Sequence, residues 1–421
     1  MSDPGIETRE TSDAPLLENG NDPYGVLKNR DFLLYLIGRF VASFSQQMLG
    51  VTVGWDIYQR THSKLAIAWV GLVQVVPMFT FTFPAGHVAD NYNRKHVLVV
   101  MQIVLGAACA GLAVVSHQKA DVKWMYVCLF FFGMARTYLW PASASFMPQL
   151  VPRRQFARAV TWNAGLFQVS AVLGPAAGGF VMGQSPFWVY LINFIGALLC
   201  ALLIGLVRVH HKVITKEKMS LKSIEVGLKF VYRTKVVLGS ITLDLFAVLL
   251  GGATALFPVY ADDILHISTI KLGWLQAALP IGSLLMSVIL VHRPPLQKAG
   301  RTLLWAVAGF GLATIGFGFA KTFWFAFFMM FLCGVTDYIS VVVRHTLVQL
   351  RTPDEMRGRV SAINSLFIGT SNQMGDFESG TVAHFTSPVF AVVSGGVGTI
   401  FVVIMAAILW PELRNYGRLD A

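Results

Sequence analysis

The chain is divided into about twelve apolar runs of ~20 residues, each ending at a short polar turn. A run of that length matches the hydrocarbon core of a bilayer, and inside lipid every backbone N–H and C=O must be satisfied within the segment, which leaves the helix as the spanning form. The composition agrees. Hydrophobic residues make up 55% and charged residues 13%, against roughly 45–50% and about 25% in soluble domains. The expected fold class is therefore an all-α membrane protein with twelve transmembrane helices. It is not the two or three soluble domains that 421 residues would otherwise imply.

The net charge of +11 is not a nucleic-acid signal, because of where the charges lie. Lys and Arg gather in alternate loops: Arg94 and Lys95, then Arg153, Arg154 and Arg158, then Arg208 to Lys222, Arg293 to Arg301, Arg351 to Arg359, and the segment after Leu413. The loops between them, such as 183–186 and 386–388, are short and nearly uncharged. This alternation follows the positive-inside rule and places both termini in the cytoplasm of a multi-pass protein of the inner (cytoplasmic) membrane. Met1 to Lys28 is polar and acid-rich and lacks the basic start and apolar centre of a signal peptide. Cys109, Cys128, Cys200 and Cys333 all lie inside apolar runs without a C-x-x-C pair, so they read as packing residues.

Taken in order, residues 1–30 are expected to form a disordered cytoplasmic tail, and 31–208 a first bundle of six helices. Its helices run over about 32–58, 65–89, 96–116, 124–146, 160–183 and 187–207. Residues 209–235 form a cytoplasmic linker, in which Leu221, Ile224, Leu228 and Val231 have the spacing of an amphipathic surface helix. A second bundle spans 236–410, with helices near 236–260, 270–291, 302–319, 323–347, 360–385 and 389–409, and 411–421 form a cytoplasmic tail. The halves repeat: Gln149, Leu150 and Val160 match Gln349, Leu350 and Val360, offset by 200. Pro152, Arg158 and Asn163 match Pro353, Arg359 and Asn364, offset by 201, and Gly50 and Tyr58 match Gly252 and Tyr260. Paired six-helix repeats are what an alternating-access carrier needs.

Three segments carry a family resemblance. Between the second and third spans stands Gly86-x-x-x-Asp90-x-x-x-Arg94-Lys95; the fifth span holds Gly174-Pro175-x-x-Gly178-Gly179; and Thr352 to Phe367 leads into the eleventh. Together with the helix 7 stretch Asp244 to Ala253, these resemble the major facilitator superfamily over essentially the whole chain. Within it they resemble the drug:proton antiporter branch that includes the enterobactin exporter and macrolide-efflux proteins. The resemblance implies a conformational switch in which Asp90 meets the start of the eleventh helix, near Arg357 and Arg359, when the carrier opens outward. It also implies a gating role for the glycines and Pro175, where close helix contact and a missing hydrogen bond coincide. The corresponding loop of the second half, His292 to Lys298, lacks the Gly and Asp, so the latch is expected in the first half only.

Ionised residues inside the apolar runs carry the mechanism. Each costs roughly 2.5–3.5 kcal/mol at mid-membrane and so must face a cavity or a partner. They are Arg39, Arg136, Asp244, Asp337 and Arg344, with Asp376 and Glu378 in the eleventh helix. The first five fall on helices 1, 4, 7 and 10, which the resemblance assigns to the central cavity. Asp337 and Arg344, seven apart, share one helix face. Asp244 and Asp337 are the leading proton carriers, followed by Asp376 and Glu378. Arg39, Arg136 and Arg344 are the cavity cations, and Asp56 is expected to be a solvated helix-end residue. Phe44, Trp55, Tyr138, Trp140, Phe257 and Tyr338 could touch an apolar cargo, although packing is the commoner role. His345 and His384 lack ligand spacing, which argues against haem or a metal.

The chain lacks G-x-x-x-x-G-K-[ST], which argues against an ATP-driven pump. It also lacks a nucleophile–base constellation, which argues against a membrane enzyme. The expectation is a secondary active transporter exporting a small to medium amphiphile, siderophore- or drug-like, by proton antiport. The alternatives are a lipid or lysolipid flippase of the same fold and a non-transporting sensor or scaffold. No cofactor is expected. The expected partners are a small-molecule substrate, protons and membrane lipids, with the chain acting as a monomer.

Overall fold

The computed structural model describes residues 24–208, 221–293, 297–353 and 356–417. The expected head up to residue 23, the first part of the linker (209–220) and the last four residues lie outside them, as do 294–296 and 354–355. The first bundle comprises α1 (Arg30–Thr61), α2 (Lys64–Asn91), α3 (Arg94–His117), α4 (Lys123–Leu150), α5 (Phe156–Met182) and α6 (Pro186–Gly205). After α7 (Leu221–Arg233) comes α8 (Lys235–Gly251), continued by the short α9 (Phe257–Val259). The second bundle is completed by α10 (Thr269–Val291), α11 (Ala299–Gly318), α12 (Phe323–Arg351), α13 (Arg357–Phe385) and α14 (Pro388–Leu409), and α15 (Pro411–Arg414) follows. Among the described residues nine helical segments are long and apolar enough to cross a membrane. The other three long helices, α1, α4 and α13, are 32, 28 and 29 residues. They carry Arg39, Arg136, Asp376 and Glu378 among them.

Local chemistry starts the helices in matching places. Ser185 caps α6 and Ser387 caps α14, each followed by a proline at the first helical position, where the missing N–H does no harm. Asn29 caps α1 through the amides of Asp31 and Phe32, and Asn93 caps α3. The packing repeats as well. In the first half α1 lies against α5 and α6, α2 against α4, and α3 against α4 and α6. In the second, α8 lies against α13 and α14, α10 against α12, and α11 against α12 and α14. Each of these pairings has its counterpart in the other bundle, and the two seams between bundles, α5–α10 and α2–α13, exchange under the same operation.

Four local expectations are corrected. The seventh span, expected to be continuous over 236–260, breaks after Gly251. It resumes as a 3-10 turn at Thr254–Leu256, then α9, then a π turn at Tyr260–Ile264. Gly251 and Gly252 weaken the helix there, and Pro258 lacks an N–H to continue it. At the amino end, structure begins before residue 30: Gly25–Lys28 form a 3-10 turn, Val26 is fully buried, and the Tyr24 ring lies 5.9 Å from that of Trp162. At the carboxyl end, the second bundle continues past 410. Leu413 is fully buried, and the amides of Ala299 and Gly300 donate to the carbonyls of Gly417 and Tyr416. Finally, α7 is docked on the bundle as well as being amphipathic, with Val231 buried and Gly227 set against Ile363 and Arg359 of α13.

The chain ends and most arginines share one end of the molecule, here the basic end; the far end carries residues 62–63, 118–122, 183–185, 265–268, 319–322 and 386–387. The seams are tight toward the far end. A Cβ placed on Gly179 of α5 would lie 2.9 Å from the Gly273 Cα of α10, and one on Gly273 would lie 3.0 Å from the Gly179 Cα. Gly380 of α13 abuts Ala68 of α2, and the Trp69 and Phe377 rings meet at 6.1 Å. The Tyr58 hydroxyl donates to Asp263 at 2.6 Å, tying α1 to the turn after α9. Small residues allow this backbone approach, so added bulk should prise the seam open. Gly179→Ala is expected to speed maleimide labelling of a cysteine placed at Gln276, which faces Gly50 across the seam. The gain should be several-fold over the same cysteine with Gly179 intact, and an unchanged rate would refute the seam as a steric lock.

Candidate functional site

On α1, residues 39, 43, 46, 50, 54 and 58 recur at helical spacing and share one face. The far-end part of that face touches the other bundle: Gly50 lies against Gln276, Gly54 against Pro258, and Tyr58 bonds Asp263. Arg39, Ser43 and Gln46 continue the same stripe toward the basic end, where all three are partly exposed. Gly38, the residue before Arg39, backs onto Cys200 of α6. The Arg39 Nε is buried without a hydrogen-bond partner among the described residues.

Arg136 stands on the corresponding stripe of α4. Phe132, Ala135 and Leu139 of that helix enter the bundle core, and Gly133 abuts Pro77 of α2. Arg136 occupies the sector between these two packed sides. It is solvent-accessible, with its guanidinium 5.9 Å from the Phe132 ring centroid. One turn nearer the basic end, Trp140 is 71% exposed on the same stripe. No carboxylate pairs with Arg136 among the described residues.

The second half divides its charges differently. Asp244 of α8 and Arg344 of α12 form a buried ion pair within that bundle. Asp337, two turns from Arg344, is partly exposed and has no ion pair among the described residues. So the shared face of Asp337 and Arg344 does not make them partners. The register of α12 against α4 shows what Asp337 is. Gly133-x-x-Arg136 and Gly334-x-x-Asp337 are offset by 201, and each glycine abuts the equivalent neighbouring helix, α2 at Pro77 and α10 at Leu279. Arg136 and Asp337 are thus the same position in the two halves with opposite charge. The sequence carries this signal at the same offset of 201 that relates Arg158 to Arg359.

Asp376 sits elsewhere. Its carboxylate accepts from the Thr254 hydroxyl at 3.3 Å and from the Ala255 amide, spanning the break in the seventh helix. A Cβ on Gly71 of α2 would lie 3.1 Å from the Asp376 Cβ, so the acid stands at the α2–α13 seam. Glu378 accepts from its neighbour Ser379 at 3.2 Å.

The switch-loop and helix 5 motifs are placed as follows. Gly86 has no atom within 4 Å of where a Cβ would stand, so the space there does not require a glycine. Arg94 donates to the Ala89 carbonyl at 3.3 Å, and Lys95 donates to the Val207 carbonyl at 2.9 Å beyond the end of α6. The Asp90 side chain lies outside the described part of the structure. On α5, Gly174 and Gly178 meet Gln47 and Met48 of α1, while Pro175 and Gly179 meet Gly273 of α10. One motif therefore contacts both its own bundle and the opposite one.

Asp56, expected to be a solvated helix-end residue, is instead buried, at 5% exposure. It binds Arg60 at 2.8 Å and accepts from the Ser116 and Tyr190 hydroxyls at 3.0 Å each, joining α1, α3 and α6. The helix-end position hid the partners, which come from two other helices. Phe257 is core, packed on Phe317, and does not line the gap.

The family model described as "Major Facilitator Superfamily" matches residues 35–373. The chain belongs to that superfamily. It is a multi-pass integral membrane transporter for small molecules and not an enzyme. It is 23% identical to the enterobactin exporter EntS of Escherichia coli strain K12 over 390 residues, 92% of this chain and 93% of that one. Among solved structures it is similar to the D-xylose-proton symporter, with TM-score 0.71, 14% identity and coverage of 92% and 99%. It is also similar to a bacterial homolog of the human lysosomal transporter Spinster in an inward-facing, unoccupied conformation, with TM-score 0.67, 15% identity and coverage of 92% and 96%.

The Asp244–Arg344 pair gives a stability test for this site. Asp244→Asn leaves Arg344 buried without its counter-ion and should cost about 3–5 kcal/mol. Asp244→Asn with Arg344→Met should recover most of the loss. Thermal unfolding of the purified variants as a double-mutant cycle reads the coupling, and a single variant as stable as the parent would contradict it.

Proposed function

We propose that this transporter exports a small to medium amphiphilic molecule by proton antiport with alternating access. The observation that supports the reading is a pair of like bundles meeting at glycine-lined seams toward the far end, with an accessible Arg136 on one bundle and a partly exposed Asp337 at the equivalent position of the other. In this reading the space between the bundles is the cargo path, with Arg39 and Arg136 on one side of it and Asp337 on the other. Residues 31–208 and 236–410 act as the two moving bundles, with the 209–235 linker between them. The positive-inside rule puts the basic end in the cytoplasm, with both termini, so the arrangement described is open to the cell interior. The inner (cytoplasmic) membrane is the corresponding location. The relationship to an enterobactin exporter supports efflux, and a siderophore- or drug-like cargo is consistent with Trp140 beside Arg136.

Asp337 is the first proton carrier in this reading, since Asp244 already has Arg344. The carboxylate takes a proton when the gap opens outward and yields it when the gap opens to the cytoplasm and cargo enters. Asp376, beside the α2–α13 seam, is a second carrier whose role is tied to seam opening, and Glu378 on the same helix is a further candidate. Gly86, Asp90, Arg94 and Lys95 form the switch loop that engages the start of α13 in the outward-open state. Gly174, Pro175, Gly178 and Gly179 transmit the movement between α1 and α10. The chain works as a monomer.

Proteoliposomes that accumulate an amphiphilic fluorescent cargo under an imposed pH gradient test this reading. A protonophore should abolish accumulation, and Asp337→Asn should lower it at least about ten-fold while the protein remains folded and inserted. Accumulation that survives the protonophore would favour a lipid or lysolipid flippase. If Asp337→Asn and Asp244→Asn both transport at the parent rate with the parent pH dependence, the proton assignment fails.

A further inference from the structure

The opposite charges at pseudo-equivalent positions constrain the cargo. Arg136 has no carboxylate partner in its own bundle, and Asp337 has no cation in its own, among the described residues. Both lie three residues beyond a glycine that fixes the helix against its neighbour, so their heights along the bundle are matched by the repeat. Each unpaired charge at mid-membrane carries a penalty of roughly 2.5–3.5 kcal/mol on insertion scales. A cargo with one charge relieves one of them and leaves the other. A cargo with an acid and a base at separate points relieves both. The walls beside the charges differ: Trp140 stands one turn beyond Arg136, and its counterpart beyond Asp337 is Val341. An aromatic body therefore has its platform on the first bundle, next to the cation.

We propose that the gap selects a dipolar amphiphile. Its carboxylate, phosphate or comparable anionic group pairs with Arg136, its ammonium-type group pairs with Asp337, and its aromatic or apolar body lies on Trp140. Arg39, on the neighbouring stripe and short of an acceptor for its Nε, adds to the anion-binding side. The proposal rests on the reading of this gap as the cargo path. It adds the cargo's charge pattern, and it gives antiport a simple basis, since a proton and the cargo's cation compete for one carboxylate.

Three matched probes test it on purified full-length protein in detergent without any gradient. Nα-dansyl-lysine carries a carboxylate and a distant ammonium, dansyl-norleucine lacks the ammonium, and dansyl-cadaverine lacks the carboxylate. Binding is read by energy transfer from tryptophan to the dansyl group. Nα-dansyl-lysine is expected to bind at least about ten-fold more tightly than either singly charged probe. Arg136→Gln should reduce it to the level of dansyl-cadaverine, and Asp337→Asn to the level of dansyl-norleucine. Arg136→Lys and Asp337→Glu should keep a preference for the dipolar probe, and Trp140→Phe should lower the transfer signal. Equal binding of the three probes, tighter binding of a singly charged one, no binding of any, or indifference to Arg136→Gln and Asp337→Asn would each overturn the proposal. Because binding is measured without flux, failure here leaves proton-driven transport standing, and loss of proton-driven transport leaves this charge selectivity standing.

Discussion

A charge inside an apolar bundle has three fates: it finds a counter-ion, it is wrapped by hydrogen bonds, or it faces a space that something polar can enter. This chain uses all three, and the function follows from which residue has which fate. Asp244 and Arg344 take the first and hold α8 to α12. Asp56 takes the second, with Arg60, Ser116 and Tyr190 closing around it at the far end of the first bundle. Arg136 and Asp337 take the third: both are accessible and neither has an ion pair among the described residues, and they are the groups to which the proposed mechanism gives cargo and protons. A buried pair is weak evidence of stabilisation in itself, since desolvation offsets much of the attraction. Its value here lies in leaving Asp337 as the acid on α12 that has no counter-ion among the described residues.

The repeat makes this division possible. Equivalent helices meet equivalent neighbours in both halves, so a residue's place in one bundle predicts its place in the other. The side chain at a shared position can then differ between the halves while the packing around it stays alike. Gly133 and Gly334 keep the same contact role while the residue three positions on differs in sign. The seams obey the same logic. Gly179 and Gly273 allow two backbones to meet without interlocking side chains, which suits a surface that must close tightly and separate again.

Fold and membrane class were legible because they depend on properties that add along the chain: hydropathy over ~20 residues, loop charge and repeat spacing. The amphipathic spacing of Leu221 to Val231 was legible for the same reason. Pairing within the site was less so, because hydrogen bonds and ion pairs depend on which helices become neighbours. Helical spacing put Asp337 beside Arg344, whereas packing gave Arg344 to Asp244 on another helix. Asp56 looked solvated from its place near a helix end, but two of its partners come from α3 and α6. The docking of Leu413 and Val26 was hidden by polar flanks on either side of short apolar anchors.

The break in the seventh span adds a link between the gap and the seam. Discontinuous helices within a membrane leave backbone groups that need partners, and transporters use such places for binding and movement. Here Asp376 from α13 supplies the partner, accepting from Thr254 and from the Ala255 amide. The same residue stands against Gly71 of α2, in the opposite bundle. Separation of α2 from α13 would therefore expose the acid that caps the resumed helix, while Asp244, one helical stretch away on α8, remains locked to α12. The second bundle thus contains a rigid half-helix held by an ion pair and a second half-helix held by a carboxylate at the moving seam. A change at the seam has a direct covalent route, through Gly252 and Ala253, to the helix that positions Arg344 and with it the face of Asp337.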